Sequence, residues 1–417
     1  MTDATAQGLS PTSPVPAPHA LPAHARAFYR LLARIDTGVL TFHSPEGTVT
    51  QFRGAHEGTH ADLAIADWGV AREAMRAAEI GLAEAYRDQR LCTSNLTAFL
   101  QLCTENSRAL ESAFYGKWWV SAYFWVKHLL RRNSRAQAKK NISAHYDLSN
   151  DFYARWLDST MSYSSAIFAG DETRDMAGAQ TAKYERILAV LSPPRGATIL
   201  EIGCGWGGFA EYAAKTRGVH VTGITLSSEQ LAYANARMTR AGLNEQVNLQ
   251  LIDYRDVRGE FDFVVSIEMF EAVGEAYWMG YFETVRNRLK PNGRAVIQTI
   301  TIAESAFPRY RASSDFIREF IFPGGMLAPI TRFIADAKRA GLGTGEPYRF
   351  GLDYAHTLRL WLDRVNEEAA HITTTGFDEK FLQIWRFYLC YCEAGFRAGR
   401  TDVMQIELTK SGEVEST

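Results

Sequence analysis

The stretch Thr198-Ile-Leu-Glu-Ile-Gly-Cys-Gly-Trp-Gly-Gly208 constrains this chain more than any other. Its first half, with Ile199, Leu200 and Ile202, has strand composition. Glycines follow at Gly203, Gly205, Gly207 and Gly208, and 209–215 reads as a helix. Glycine lets the backbone turn sharply and lets a ligand approach to contact. A helix start presents N–H groups that no residue of the helix can satisfy. Strand, glycine turn and helix in that order predict an α/β fold with ligands beyond the carboxyl ends of its strands. A lone glycine turn of this kind does not fix the ligand, since dinucleotide enzymes use one too. Glu201 stands two residues before Gly203 and suits a carboxylate that meets a cationic amino group. A second strand, 219–224, runs into Thr225-Leu-Ser-Ser-Glu-Gln230, whose side chains suit a ribose or amino-acid moiety. A third, 247–252, runs into Asp253 and Tyr254, where an aspartate can accept from an exocyclic amine.

Around this core the 417 residues divide. Residues 1–22 are rich in Pro, Ser, Thr and Ala and read as a flexible tail, as does 411–417. Residues 23–116 suggest a small α+β unit. Within it, 38–42 and 48–52 have strand composition around Ser44-Pro-Glu-Gly47, a hairpin signal, and Asp67 suits the cap of a helix from Trp68. Residues 117–140 carry seven Lys or Arg and no acid, with Trp119, Ala122, Tyr123, Val126, Leu129 and Leu130 at helical spacing. They read as a connecting amphipathic helix, followed by the α/β domain over 141–410. A net charge of −2 argues against a nucleic-acid coat. Five cysteines, an odd number, point to a reducing compartment rather than a disulfide scaffold. No apolar run reaches the roughly 18–20 residues of a membrane span, and the first residues do not read as a signal peptide. A cytoplasmic protein with peripheral membrane contact is expected. His145, His356 and Cys204 lack zinc-ligand spacing, so no metal is expected.

Five further motifs occur in order: His145-Tyr-Asp-Leu-Ser-Asn150, Met161-Ser-Tyr-Ser-Ser165, Glu268-Met-Phe-Glu-Ala-Val-Gly274, Phe320-Ile-Phe-Pro-Gly-Gly325 and Tyr391-Cys-Glu-Ala-Gly-Phe396. With the glycine loop they resemble the cyclopropane fatty acid synthases, a family of class I S-adenosylmethionine-dependent methyltransferases. The likeness is strong over about 140–410. More weakly, 23–116 is similar to the amino-terminal lipid-binding domain of full-length bacterial members. The resemblance implies a Rossmann-like, seven-stranded, mostly parallel sheet with a smaller N-terminal α+β domain. It places S-adenosylmethionine against Tyr163, Ser164, Glu201, Gly203, Gly205, Gly207, Thr225, Leu226, Gln230, Asp253 and Tyr254. It implies methyl transfer to a cis double bond of an unsaturated phospholipid acyl chain, most simply giving a cyclopropane. A bicarbonate ion would take the proton, held by Glu271, Tyr354, Ser165, Gln298 and the backbone of Ile300. Two positions depart from the family pattern: Ser165 stands for a cysteine and Gln298 for a histidine common in bacterial members. A changed base site could instead yield a methylene- or methyl-branched chain. A non-catalytic lipid-binding protein is the competing class of function. A homodimer is expected by analogy alone.

A phospholipid does not leave its membrane, so contact must lie in the interface. Trp118, Trp119, Tyr123, Phe124 and Trp125 suit the headgroup boundary, and each basic residue near an anionic surface adds about 1 kcal/mol. Changing Arg131, Arg132, Arg135, Lys139 and Lys140 to Gln should therefore weaken sedimentation with anionic vesicles, most at low salt. Parent-like pelleting at every salt concentration would make the segment a plain linker.

Overall fold

In the computed structural model of the protein, residues 21–111, 149–171 and 173–412 are described. Most of both expected tails, the 117–140 segment and His145 lie outside the described residues. The chain divides into two compact units, and Gln383–Ala394 groups with the N-terminal one although it follows the other in sequence.

The N-terminal unit is built on a four-stranded sheet in the order β2-β1-β3-β4. β1 (Thr37–His43) and β2 (Val49–Arg53) form the expected antiparallel hairpin. Gly47 takes a φ of 82° in its turn. The helix Trp68–Arg87 starts at Asp67, whose side chain accepts from the Gly69 N–H at 2.7 Å. β3 (His56–Ile65) was not expected; it pairs parallel to β1 and antiparallel to β4 (Leu91–Cys92). The Gln383–Ala394 stretch joins through specific contacts: Thr97 Oγ1 donates to Glu393 Oε2 at 3.0 Å, and Phe387 packs on Tyr86.

The second unit carries the glycine turn and the site residues expected from the sequence. Its strands are β5 (Thr198–Ile202), β6 (His220–Thr225), β7 (Val247–Leu251), β8 (Phe261–Ile267), β9 (Leu289–Ile302) and β12 (Thr401–Thr409), with two-residue β10 (Gly343–Thr344) and β11 (Tyr348–Arg349). The sheet runs β7-β6-β5-β8-β9-β12-β10, with β11 also paired to β12. β5 to β9 are mutually parallel and β12 is antiparallel to β9. Eight strands replace the expected seven because β12 carries two short partners on its outer side.

A parallel sheet is covered on both faces, so its strands read as apolar runs whose alternate residues serve two cores. Ile199, Val221, Leu249, Val265 and Val296 pack with residues of the helices Met176–Leu191, Gly208–Arg217 and Ser228–Ala241. Leu200, Ile224, Val264, Ala295 and Ile297 pack with Trp278, Phe282 and Phe333 on the other face. From β5 the strand order proceeds outward in both directions, to β6 and to β8. In such sheets the crevice at that reversal, beyond the carboxyl ends, is the ligand position.

Candidate active site

The glycine loop fills the β5 side of the crevice. Gly203, Gly205 and Gly207 have φ values of 87°, 52° and 82°, the left-handed region that a side chain disfavours. A Cβ at Gly203 would lie 3.0 Å from Met269, so β8's exit presses directly on this turn; a Cβ at Gly205 would meet nothing within 4 Å. The Gly203 and Cys204 N–H groups both donate to Ile224 O, at 3.0 and 2.9 Å. Trp206 Nε1 donates to Asn150 Oδ1 at 2.7 Å, which ties the end of the first motif to the loop.

Glu201 lies at the carboxyl end of β5 and is 2% exposed. Its Oε2 finds no hydrogen-bond partner among the described residues. Burial holds its carboxyl well above the usual carboxylate range, opposed by the charge of Lys183. An orphaned buried oxygen beside an open glycine turn fits a ligand with a cationic amino group. On β6's exit, Thr225 Oγ1 donates to Gln230 Oε1 at 2.8 Å, and Ser227 Oγ caps the next helix by accepting from Gln230 N–H. Leu226 is half-buried between them. Asp253 is already engaged: Arg255 reaches its two oxygens at 2.8 and 2.6 Å. Tyr254 packs on Tyr281.

The β8 side holds two half-buried carboxyl groups where the sequence reading used one. Glu268 follows β8 directly and has a φ of 49°, left-handed without being glycine. Its Oε1 accepts from the Ser165 N–H and from Gln298 Nε2, both at 2.8 Å. Its Oε2 accepts from the Tyr354 hydroxyl at 2.6 Å. Glu271, on the turn Phe270–Ala272, accepts at Oε1 from the Ile300 N–H and from Thr299 Oγ1, while Oε2 has no partner among the described residues.

The expected site residues therefore converge, with their roles redistributed. Ser165, Gln298 and Tyr354 all meet Glu268. Ser165 does so through its backbone, because its hydroxyl donates to Ala166 O at 3.0 Å. The Ile300 N–H is used by Glu271. The sequence reading passed over Glu268 and also Lys183. Lys183, fully buried, donates to Ser164 Oγ at 2.6 Å and to Gln180, and burial brings it down to about 8. Its charge acts on both Glu268 and Glu201, so it links the two sides of the crevice electrostatically.

Supporting bonds fix these orientations. Gln298 Oε1 accepts from Gln405 Nε2 at 2.9 Å, and Gln405 Oε1 accepts from Arg186 Nη1 at 2.8 Å. Arginine can only donate, so this chain sets each amide and turns the Gln298 NH₂ toward Glu268. The loop carrying Ser165 is pinned to the helix Gly351–Glu367: Asp353 accepts from the Phe168 and Ala169 N–H groups, and Thr357 Oγ1 from Ala166. Aromatic rings wall the space. Tyr163 packs on Tyr153, Trp156 and Trp361, each at 5.5 Å between centroids, and Tyr354 stacks on Phe396 at 4.5 Å. Among the described residues no group of His, Cys, Asp and Glu is placed to hold a metal ion.

Burial, and then the charge of Glu268, push Glu271 up to about 8 from its ordinary 4.5. The folded chain thus keeps a proton there that the unfolded chain has released. Stability from this group is fully present below about pH 4.5 and falls as pH rises toward 8. Glu271→Gln should make the loss of denaturant stability between about pH 5 and 8 shallower than in the parent. An unchanged slope would mean that the proton sits elsewhere.

A family model for mycolic acid cyclopropane synthetase matches residues 133–406. The tuberculostearic acid methyltransferase of Mycobacterium tuberculosis is 41% identical over 296 residues, 69% of this chain and 68% of that protein. The cyclopropane-fatty-acyl-phospholipid synthase of Escherichia coli is 32% identical over 361 residues, 85% of this chain and 89% of that protein. Among solved structures, a cyclopropane synthase from Mycobacterium tuberculosis superposes with a TM-score of 0.61 at 30% identity, covering 65% of this chain and 98% of its own. A mycolic acid cyclopropane synthase complexed with SAH and CTAB gives 0.61 at 29% identity, with the same shares. With its switch-point crevice and glycine loop, the chain belongs to the mycolic acid cyclopropane synthetase family, and with it to the S-adenosylmethionine-dependent methyltransferases.

Proposed function

We propose that this enzyme methylates a cis double bond in an unsaturated phospholipid acyl chain and releases a cyclopropane fatty acyl product. One observation carries the reading: a cofactor-type glycine turn lies at the switch point of the sheet, beside two half-buried carboxyl groups and a cluster of aromatic rings. When bound, S-adenosylmethionine supplies an electrophilic methyl group. Glu201 would hold its amino group, Gly203 to Gly207 its methionine part, and Thr225 and Gln230 its ribose. An alkene is a weak nucleophile and the cation it forms reacts with water, so exclusion of water is required. The faces of Tyr163, Tyr354 and Trp361 favour a cation by their quadrupoles. A carboxylate already in place can then take the proton.

A second reading, a methylene- or methyl-branched product, is favoured by the 41% identical relative named as a tuberculostearic acid methyltransferase. Either substrate lies in a bilayer, and the enzyme would work at the surface of an anionic membrane. No helix among the described residues is long and apolar enough to cross one.

Lipids from a host expressing the protein should gain one methylene unit per modified chain by mass spectrometry. Proton spectra then separate the products: upfield ring protons for a cyclopropane, vinylic protons for a methylene branch. Unmodified lipids would overturn the methyl-transfer reading. Separately, Glu201→Gln should weaken S-adenosylmethionine binding by roughly 10- to 100-fold, the effect of losing one charge-assisted bond. Titration calorimetry measures this, and unchanged affinity removes Glu201 from the cofactor site.

A further inference from the structure

We propose that Glu268 is the general base of this site, so that a carboxylate of the chain itself, and not a dissolved ion, receives the proton from the methylated acyl cation. The inference rests on the methyl-transfer reading above and names the group that completes it.

Three donors from three separate elements meet at one point: the Ser165 N–H, Gln298 Nε2 and the Tyr354 hydroxyl. Such a convergence is a built anion site, and the anion in it belongs to residue 268. The same donors decide which of the two carboxylates is ionised. Glu268 accepts three bonds over both oxygens, whereas Glu271 accepts at one oxygen and its other has no partner among the described residues. Burial raises both carboxyls; at Glu268 the three donors and the charge of Lys183 work against that rise, whereas at Glu271 the charge of Glu268 adds to it, so the proton rests on Glu271 and the charge on Glu268. Lys183 adds a favourable field from the Met176–Leu191 helix, and Glu271 is the opposing charge if it ionises.

Position agrees with the role. Glu268 leaves β8 beside the glycine turn, since Met269, its neighbour, is the residue a Cβ at Gly203 would touch. Its Oε2 is bonded to Tyr354, whose ring belongs to the aromatic wall with Trp361 and Phe396. The base thus joins the cofactor side to the space suited to an acyl cation. Backbone conformation points the same way. A φ of 49° is one that glycine adopts freely and glutamate does not, so the side chain is held there against a local preference.

The step balances. The cation left by methyl transfer loses a proton from carbon to the Glu268 carboxylate, which becomes a neutral carboxylic acid. The electron pair of the broken C–H bond closes the three-membered ring, or forms a double bond in the branched product. The acid then returns its proton to solvent between turnovers.

The test uses the full chain and two variants, Glu268→Gln, which keeps shape, and Glu268→Gly, which vacates the pocket and suits the backbone. The parent's rate should be the same in carbonate-scrubbed buffer and with bicarbonate restored. A rate that falls on scrubbing and recovers on addition would overturn the proposal. Glu268→Gln should lose about 100-fold or more in kcat, the usual share of a general base, with cofactor affinity unchanged. Parent-like turnover in this variant also overturns it. A third measurement needs no turnover: with ¹³C-bicarbonate and cofactor-free protein, carbon NMR should show binding to Glu268→Gly and none to the parent. Equal binding to both would place a dissolved ion in the pocket. If the parent methylates no lipid, the functional reading fails, while the bicarbonate measurement still judges the occupant of the pocket.

Discussion

A carboxylate removed from water must be surrounded by donors, and this requirement at Glu268 organises the β8 half of the crevice. Desolvating such an ion costs several kcal/mol even after relaxation. The donors that offset it come from the 161–165 motif, from β9 and from the helix Gly351–Glu367. Each donor must in turn be fixed. Gln298 is held by Gln405 on the antiparallel strand, directly opposite in register, and Gln405 by Arg186. The Ser165 N–H is held because Asp353 and Thr357 anchor the residues that follow it. One half-buried charge thereby accounts for the buried Gln298 and Gln405, which packing alone would not place in the interior.

The second constraint is charge balance across the switch point. Glu201 lies on β5, whose register pairs it with Val265 of β8, and Glu268 directly follows β8. The charge of Glu268 raises the neighbouring carboxyl of Glu271. Lys183, reaching in through Ser164, sets the opposite charge against Glu201 and Glu268 and itself loses basicity on burial, to about 8. Glu201 Oε2 has no hydrogen-bond partner among the described residues. On the proposed reading, a cationic amino group there would supply the missing charge and bond together, and cofactor binding would complete the electrostatic arrangement.

Much of the fold was legible because its signals are local. The apolar run into the 203–208 glycines can serve few structures, and the Asp67 cap and the hairpin around Gly47 are written in adjacent residues. β3 was not legible: His56–Ile65 carries polar residues through most of its length and becomes a strand because β1 and β4 pair with it on either side. Nor was the membership of Gln383–Ala394, since Thr97 and Glu393 are 296 positions apart. At the site, the resemblance named residues that the fold brings together, Ser165, Gln298 and Tyr354 around one carboxylate, and gave the central role to Glu271. The available signal was a second acid three residues earlier, at the end of an apolar strand. What separates the two acids is donors from Ser165, 103 positions away, and Tyr354, 86 away, and no sequence pattern states where those donors point.

The left-handed backbone at Glu268 shows which way this arrangement was weighted. A strained non-glycine residue costs on the order of 1–3 kcal/mol, and a buried charge is rarely a net gain for stability. A glycine at the same place would relieve both burdens and free Ser165, Gln298 and Tyr354 to bind water or an ion. The chain instead keeps a carboxylate fixed at one point, with its rotamer locked by three bonds. A covalently attached base needs no recruitment from solution and cannot diffuse away while a short-lived cation waits beside it. Stability given up at one residue is thus exchanged for a proton acceptor whose position is set before the substrate arrives.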